Sequence, residues 1–94
     1  MKTAKGNLIA ARALIDTPEK WGKGVDVEPS KGRYCAAVAC NDFATAASMY
    51  SALGAALPNP GGLGAVFAFN DHPDTTHADI LALYDRAIAA QEVQ

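Results

Sequence analysis

Twelve residues, Phe69 to Ile80, hold both histidines of the chain, His72 and His77, and three of its ten acids, Asp71, Asp74 and Asp79. Asn70 and two threonines stand among them. Imidazole and carboxylate so close together suggest two kinds of chemistry. His72, His77 and one aspartate could offer zinc three ligands and leave a fourth position for water. A small hydrolase could use the same groups, with Cys35 or Cys40 as nucleophile if a histidine came near. Neither pattern is complete. The histidines lack the HExxH spacing, and no second ligand pair is written elsewhere. Each thiol lies in an apolar stretch, where buried cysteines are normally inert. No catalytic residue, metal ligand or cofactor is therefore assigned. The candidate binding residues are Asn70, Asp71, His72 and His77, joined by Arg33.

Most of the cluster also has structural work to do. His72 precedes Pro73 and is biased to extended backbone, and Pro73 suits the second position of a turn from His72 to Thr75. Thr76 stands three residues before Asp79, the spacing of a capping box with Asp in the usual place of Glu or Gln. Asp74 and Asp79 favour the positive end of a following helix. Asn70 and Asp71 can satisfy backbone amides where the chain reverses. His77 alone has no such task.

The elements that must position these residues read as helices. Twenty alanines in 94 residues favour helix and allow close helix approach. Leu8, Ala11, Leu14 and Ile15 share one stripe of a first helix from Thr3 to Asp16. "TPEKWG" predicts a single turn starting at Pro18, with Trp21 as a bulky plug, and residues 25–28 read as loop. A second helix is predicted from Tyr34 to Cys40 with Tyr34, Cys35 and Val38 inward. Asp42 then caps a third, over 43–57, whose stripe is Phe43, Ala46, Ala47, Tyr50, Leu53 and Leu57. "PNPGGLG" is a strong breaker and reads as a flexible connector. It has neither the Walker nor the dinucleotide spacing for phosphate. "AVFAF" is a short buried run of undecided type. The last helix, His77 to Gln91, buries Ile80, Leu81, Tyr84, Ala87 and Ile88. The expected fold is all-α, one domain over residues 1–94: a compact bundle of about four helices plus a one-turn helix.

Net charge is −2, which argues against general nucleic-acid binding, but it is unevenly spread. Residues 1–33 carry seven Lys/Arg against four acids, whereas residues 34–94 carry only Arg86 against six. Such asymmetry can orient a protein toward a charged partner. Cys35 and Cys40 lie five residues apart, facing different ways on a helix, and lack CxxC spacing, so a disulfide is not expected. No run approaches membrane-spanning length, and Arg12 interrupts the only stretch that could serve as a signal peptide. A cytoplasmic location is expected.

"FNDHPDTTHADILALYDRAI" resembles the C-terminal signature of a family of small bacterial and phage proteins of unknown function, through Phe69, Asn70, Asp71, Pro73, Thr76, Ile80, Leu81, Asp85, Arg86 and Ile88. Arg33, Cys35 and Ala36 of "GRYCAAVAC" resemble its middle segment, and "LIDTPEKWGKG" its start. Phe69 stands where that family usually has Trp. The resemblance implies an all-helical fold and a bacterial or phage source, and no activity. His72-Pro73-Asp74 also spells the tripeptide of J-domain cochaperones, but the preceding "GGLGAVFAFND" has no Lys or Arg, and the likeness stops at three residues.

The function expected is that of a non-enzymatic interaction or accessory module of a bacterium or mobile element. Its partner is expected to be a protein, with no membrane and no general nucleic-acid binding; a homo-oligomer is left open. The alternative is a small metal-dependent or hydrolytic enzyme using the region from Asn70 to His77. That enzyme needs Asn70, Asp71 and a histidine to converge with Cys35 or Arg33 in one pocket.

Overall fold

The computed structural model describes residues 3–91. Four α-helices carry the fold: α1 (Ala4–Ala13), α2 (Ala46–Ala56), α3 (Leu63–Asp71) and α4 (His77–Ala90). α4 packs on α1 and α2, and α2 also packs on α1 and α3. Short 3₁₀ turns at Pro18–Lys20, Gly24–Asp26, Pro29–Lys31 and Val38–Cys40 shape the long connection from α1 to α2. The described residues are all-α, with two isolated β-bridges, Trp21 to Tyr34 and Glu28 to Arg33.

The number of helices agrees with the sequence reading, but one helix is exchanged for another. Tyr34–Cys40 is not a helix. Tyr34 is extended beside Trp21, with Gly22 N donating to Tyr34 O at 3.0 Å and Tyr34 N to Lys20 O at 2.8 Å. Only Val38–Cys40 makes a helical turn, of the 3₁₀ kind. The segment is nonetheless the most thoroughly buried among the described residues, with Cys35, Ala36, Ala37, Ala39 and Cys40 all in the core. Its alanines are there because small side chains let an irregular backbone lie inside, not because they make helix. The undecided "AVFAF" run is instead part of α3.

Other boundaries move for identifiable reasons. α1 ends at Ala13, and Leu14 and Ile15 continue as a turn that still buries Ile15 completely. α2 starts at Ala46 rather than Phe43, after Thr45. Asp42 does not cap it. Nor does the Thr45 hydroxyl, which accepts a 2.8 Å bond from the Nδ2 of Asn7, a buried polar residue of α1. The later start leaves Ala47 exposed, and Met49, Leu53 and Leu57 make the inward stripe at spacings of four. On α4 the fully buried stripe is Ile80, Leu83, Tyr84 and Ala87; Leu81 and Ile88 pack at its edges. Each buried Leu or Ile contributes about 1.5–3 kcal/mol over exposure.

Two polar devices lock the elements. Tyr84, fully buried on α4, donates to Ala36 O at 2.5 Å and touches Cys40 Sγ at 3.2 Å, fixing the 35–40 segment. Burial holds its hydroxyl well above the usual tyrosine range and pushes the Cys40 thiol up to about 11. Next along α4, Asp85 accepts from Arg12 of α1 at 3.2 Å, and Arg86 Nε donates to Ala56 O at the end of α2. A cation there also suits the negative end of the helix.

The "PNPGGLG" stretch is not a slack connector. Gly61 N donates to Gly54 O at 3.1 Å, and a Cβ on Gly54 would fall 2.0 Å from Gly61 O. Two glycines are required because α2 and the return into α3 touch backbone to backbone.

Candidate functional site

On α3, successive residues turn by about 100°, which divides the helix into three faces. Val66 and Asn70 point into the protein. Phe67 and Asp71 border one recess, and Ala65, Ala68 and Phe69 border another on the far side.

Asn70 is fully buried and every hydrogen-bonding position on its amide is used. Its Oδ1 accepts from Trp21 Nε1 at 2.7 Å and from Ala36 N at 2.9 Å. Its Nδ2 donates to Gly22 O at 3.1 Å and to Asp71 Oδ1 at 3.0 Å. Asp71 Oδ1 also accepts from Gly24 N at 3.0 Å. The pair therefore satisfies backbone amides, as its residue types suggest, but those of residues 22–36, far away in sequence, rather than those of the adjacent turn. Gly22 sits so close that a Cβ would lie 2.9 Å from Asp26 O.

Trp21 is more than a plug. Besides its indole N–H bond to Asn70, its ring lies 5.8 Å from that of His77 and has the Lys23 ammonium 5.6 Å from its centroid. His77, the residue left without a task by the sequence, has its Nε2 2.6 Å from Ile15 O. A carbonyl only accepts, so Nε2 carries the proton. His77 thus ties the start of α4 to the turn that follows α1.

His72 ends α3 in extended backbone, as its position before Pro73 predicts, and Thr75 N bonds His72 O at 3.0 Å across the turn. Its Nδ1 accepts from Asp74 N at 3.0 Å, and Lys23 Nζ donates to its carbonyl at 2.5 Å. The capping box is complete: Asp79 N bonds Thr76 Oγ1 at 3.2 Å and Thr76 N bonds Asp79 Oδ2 at 2.9 Å.

Of the five candidate binding residues, Asn70 and Asp71 meet each other, and His72, His77 and Arg33 go elsewhere. The histidines diverge: His77 turns to Ile15 and Trp21, and His72 to the recess beside Phe69. Arg33 is exposed, its stem against Gly22. Among the described residues no three His, Cys, Asp or Glu side chains are grouped so as to hold a metal ion. Asp71 and Cys35 do share a recess of about 220 Å³, with Val27, Val38 and Phe67. Burial raises the Cys35 thiol above its ordinary range, and the charge of Asp71 opposes its ionisation further. Cys35 is therefore a weak nucleophile.

The second recess is larger, about 530 Å³, between the end of α2, α3 and the turn into α4. Leu57, Ala65, Ala68 and Phe69 line it together with His72, Asp74 and Asp79. Sequence reasoning missed this groove because it left residues 65–69 without a type. Read as helix, the four-residue spacing of Val66 and Asn70 would have separated an inward face from the groove face.

No helix among the described residues is long and apolar enough to cross a membrane. A model of a family of unknown function, DUF6197, matches residues 1–90. No curated protein and no solved structure matches the chain.

Proposed function

The chain belongs to the DUF6197 family of unknown function, and from its geometry we propose that it is a non-enzymatic protein-interaction module, serving as an accessory or regulatory protein of a bacterium or mobile element. The observation that carries this reading is an apolar face the core does not use. Leu63 and Phe67 stand one turn apart on α3, each more than a third exposed, and Val25 is fully exposed beside Gly24 on the rim of the 220 Å³ recess. Exposed large apolar side chains gathered on one face mark contact surfaces more often than single ones do. Lys23, Lys31 and Arg33 belong to the same 20–34 stretch, as do Asp26 and Glu28, which pairs with Lys31, so the partner surface expected here is apolar at its centre with charges of both signs around it.

The enzyme alternative has less support. Asn70 is saturated within the protein, His77 is committed to Ile15 and Trp21, and the one thiol near a carboxylate is held protonated with no histidine in its recess.

The test is affinity capture from the cell of origin with wild type and a Phe67→Glu variant, quantified by mass spectrometry. Phe67 is outside the buried core, so the variant should melt within a few degrees of wild type. A protein retained by wild type and lost with Phe67→Glu supports the reading. Equal retention by both, or no protein specific to wild type, refutes it.

A further inference from the structure

The 530 Å³ groove lies on the side of α3 away from Phe67, and its volume falls in the range of ligand-sized sites. Its floor is apolar: Leu57 from the end of α2, and Ala65, Ala68 and the half-buried Phe69 from α3. Its polar wall comes from the turn into α4 and is one-signed. Asp74 and Asp79 line it, and among the described residues no Lys or Arg does.

These carboxylates have capacity to spare. Among the described residues, Asp74 makes no side-chain hydrogen bond or ion pair; only its backbone N is engaged, by His72 Nδ1. Asp79 spends Oδ2 on the capping box and keeps Oδ1. His72 keeps Nε2. Beside them the Phe69 ring offers a face that attracts cations. An apolar floor beside an acidic wall, with Asp74 unpaired, complements one kind of group: an aliphatic stem carrying a cation at its end.

We propose that this groove receives a lysine or arginine side chain from a segment of a partner protein, the stem lying on Leu57, Ala65 and Phe69 and the cation against Asp74 and Asp79. Such side chains bury their stems on apolar surface while the charge meets acid at the rim. The inference rests on the reading of the chain as an interaction module, but it uses a different face, so the two can fail separately.

The test is titration of the ¹⁵N-labelled full chain with three blocked peptides, acetyl-Leu-Lys-Leu-amide and its Gln and Glu counterparts, and with n-butylamine alone. The expected result is saturable shifts of the Ala65, Ala68, Phe69 and His72 amides with the Lys peptide. The Gln peptide should bind about two- to fivefold more weakly, the loss of one partly exposed ion pair, and the Glu peptide more weakly still. Asp74→Asn keeps the backbone bond to His72 and should melt like wild type, yet bring the Lys peptide down to the Gln peptide's affinity. Phe67→Glu should leave binding unchanged. Equal binding of Lys and Gln peptides, or no saturable shift at these amides, overturns the proposal. So does n-butylamine binding as tightly as the peptide, which would make the site one for a free amine. A dimer that Asp74→Lys dissociates also overturns it, since a second copy would then fill the groove.

Discussion

Replacing Asn70 by alanine should damage this protein more than any other single polar change. The substitution leaves Ala36 N, Gly22 O and Trp21 Nε1 without their partner. Ala36 and Gly22 are buried, so two backbone groups are stranded away from water. Each costs about 1–3 kcal/mol. Half-buried Trp21 recovers part of its bond from solvent, and the space left by the amide adds a modest cavity penalty. The sum is about 3–5 kcal/mol, against about 5–15 kcal/mol for a whole domain. At about 4–8 °C per kcal/mol for this size, the melting midpoint should fall by about 12–40 °C. Urea unfolding followed by helical circular dichroism measures the loss. Asn70→Asp separates the two halves of the amide. The introduced carboxylate keeps an oxygen for Ala36 and Trp21 but faces Gly22 O and Asp71, which raises its folded pKa. The native state then holds a proton that the unfolded chain releases, so stability relative to wild type is best below about pH 4 and falls as pH rises through the raised value. A loss below about 1 kcal/mol for Asn70→Ala, or an Asn70→Asp deficit independent of pH, would refute the hub.

Three further outcomes follow from the packing. Gly54→Ala gains about 1 kcal/mol of helix propensity but drives a Cβ to 2.0 Å from Gly61 O. Overpacking of about 1–3 kcal/mol or more should win, and a denaturation midpoint at or above that of wild type would contradict the close approach. Thr76→Ala removes the acceptor for Asp79 N and should cost about 1 kcal/mol, read as a lower melting midpoint with unchanged native helicity. The buried Cys40 thiol, raised from 9.0 to about 11, stays protonated in the native state while the unfolded chain ionises near 9. Native protein then binds more protons, so stability falls as pH climbs from about 9 to 11, by on the order of 2 kcal/mol. Cys40→Ala should flatten that part of the pH profile although it lowers stability near neutrality, which melts at pH 8 and pH 10.5 can compare.

Local signals were legible in the sequence wherever the chain's neighbours along the backbone decide the outcome. The cap at Thr76 and Asp79, the turn from His72 to Thr75, the one-turn helix at Pro18 and the all-α class all follow from interactions spanning a few residues. Tyr34–Cys40 and residues 63–71 were beyond that reach. Both are apolar and short, and alanine content alone made the first look more helical than the second. The tertiary structure decides otherwise because Ala36 N is taken by Asn70 Oδ1, and Tyr84 and Cys40 hold the rest of that stretch inside without helix. The same holds for the candidate site positions. His72 and His77 sit five residues apart in sequence, yet Pro73 and the start of α4 send them to opposite duties, and His77 finds its partner 62 residues away at Ile15. Asn70 and Asp71 advertised their capacity to satisfy amides, a property of the side chain. Which amides they satisfy is a property of the fold, because the groups they serve come together only when residues 21–36 close over the end of α3.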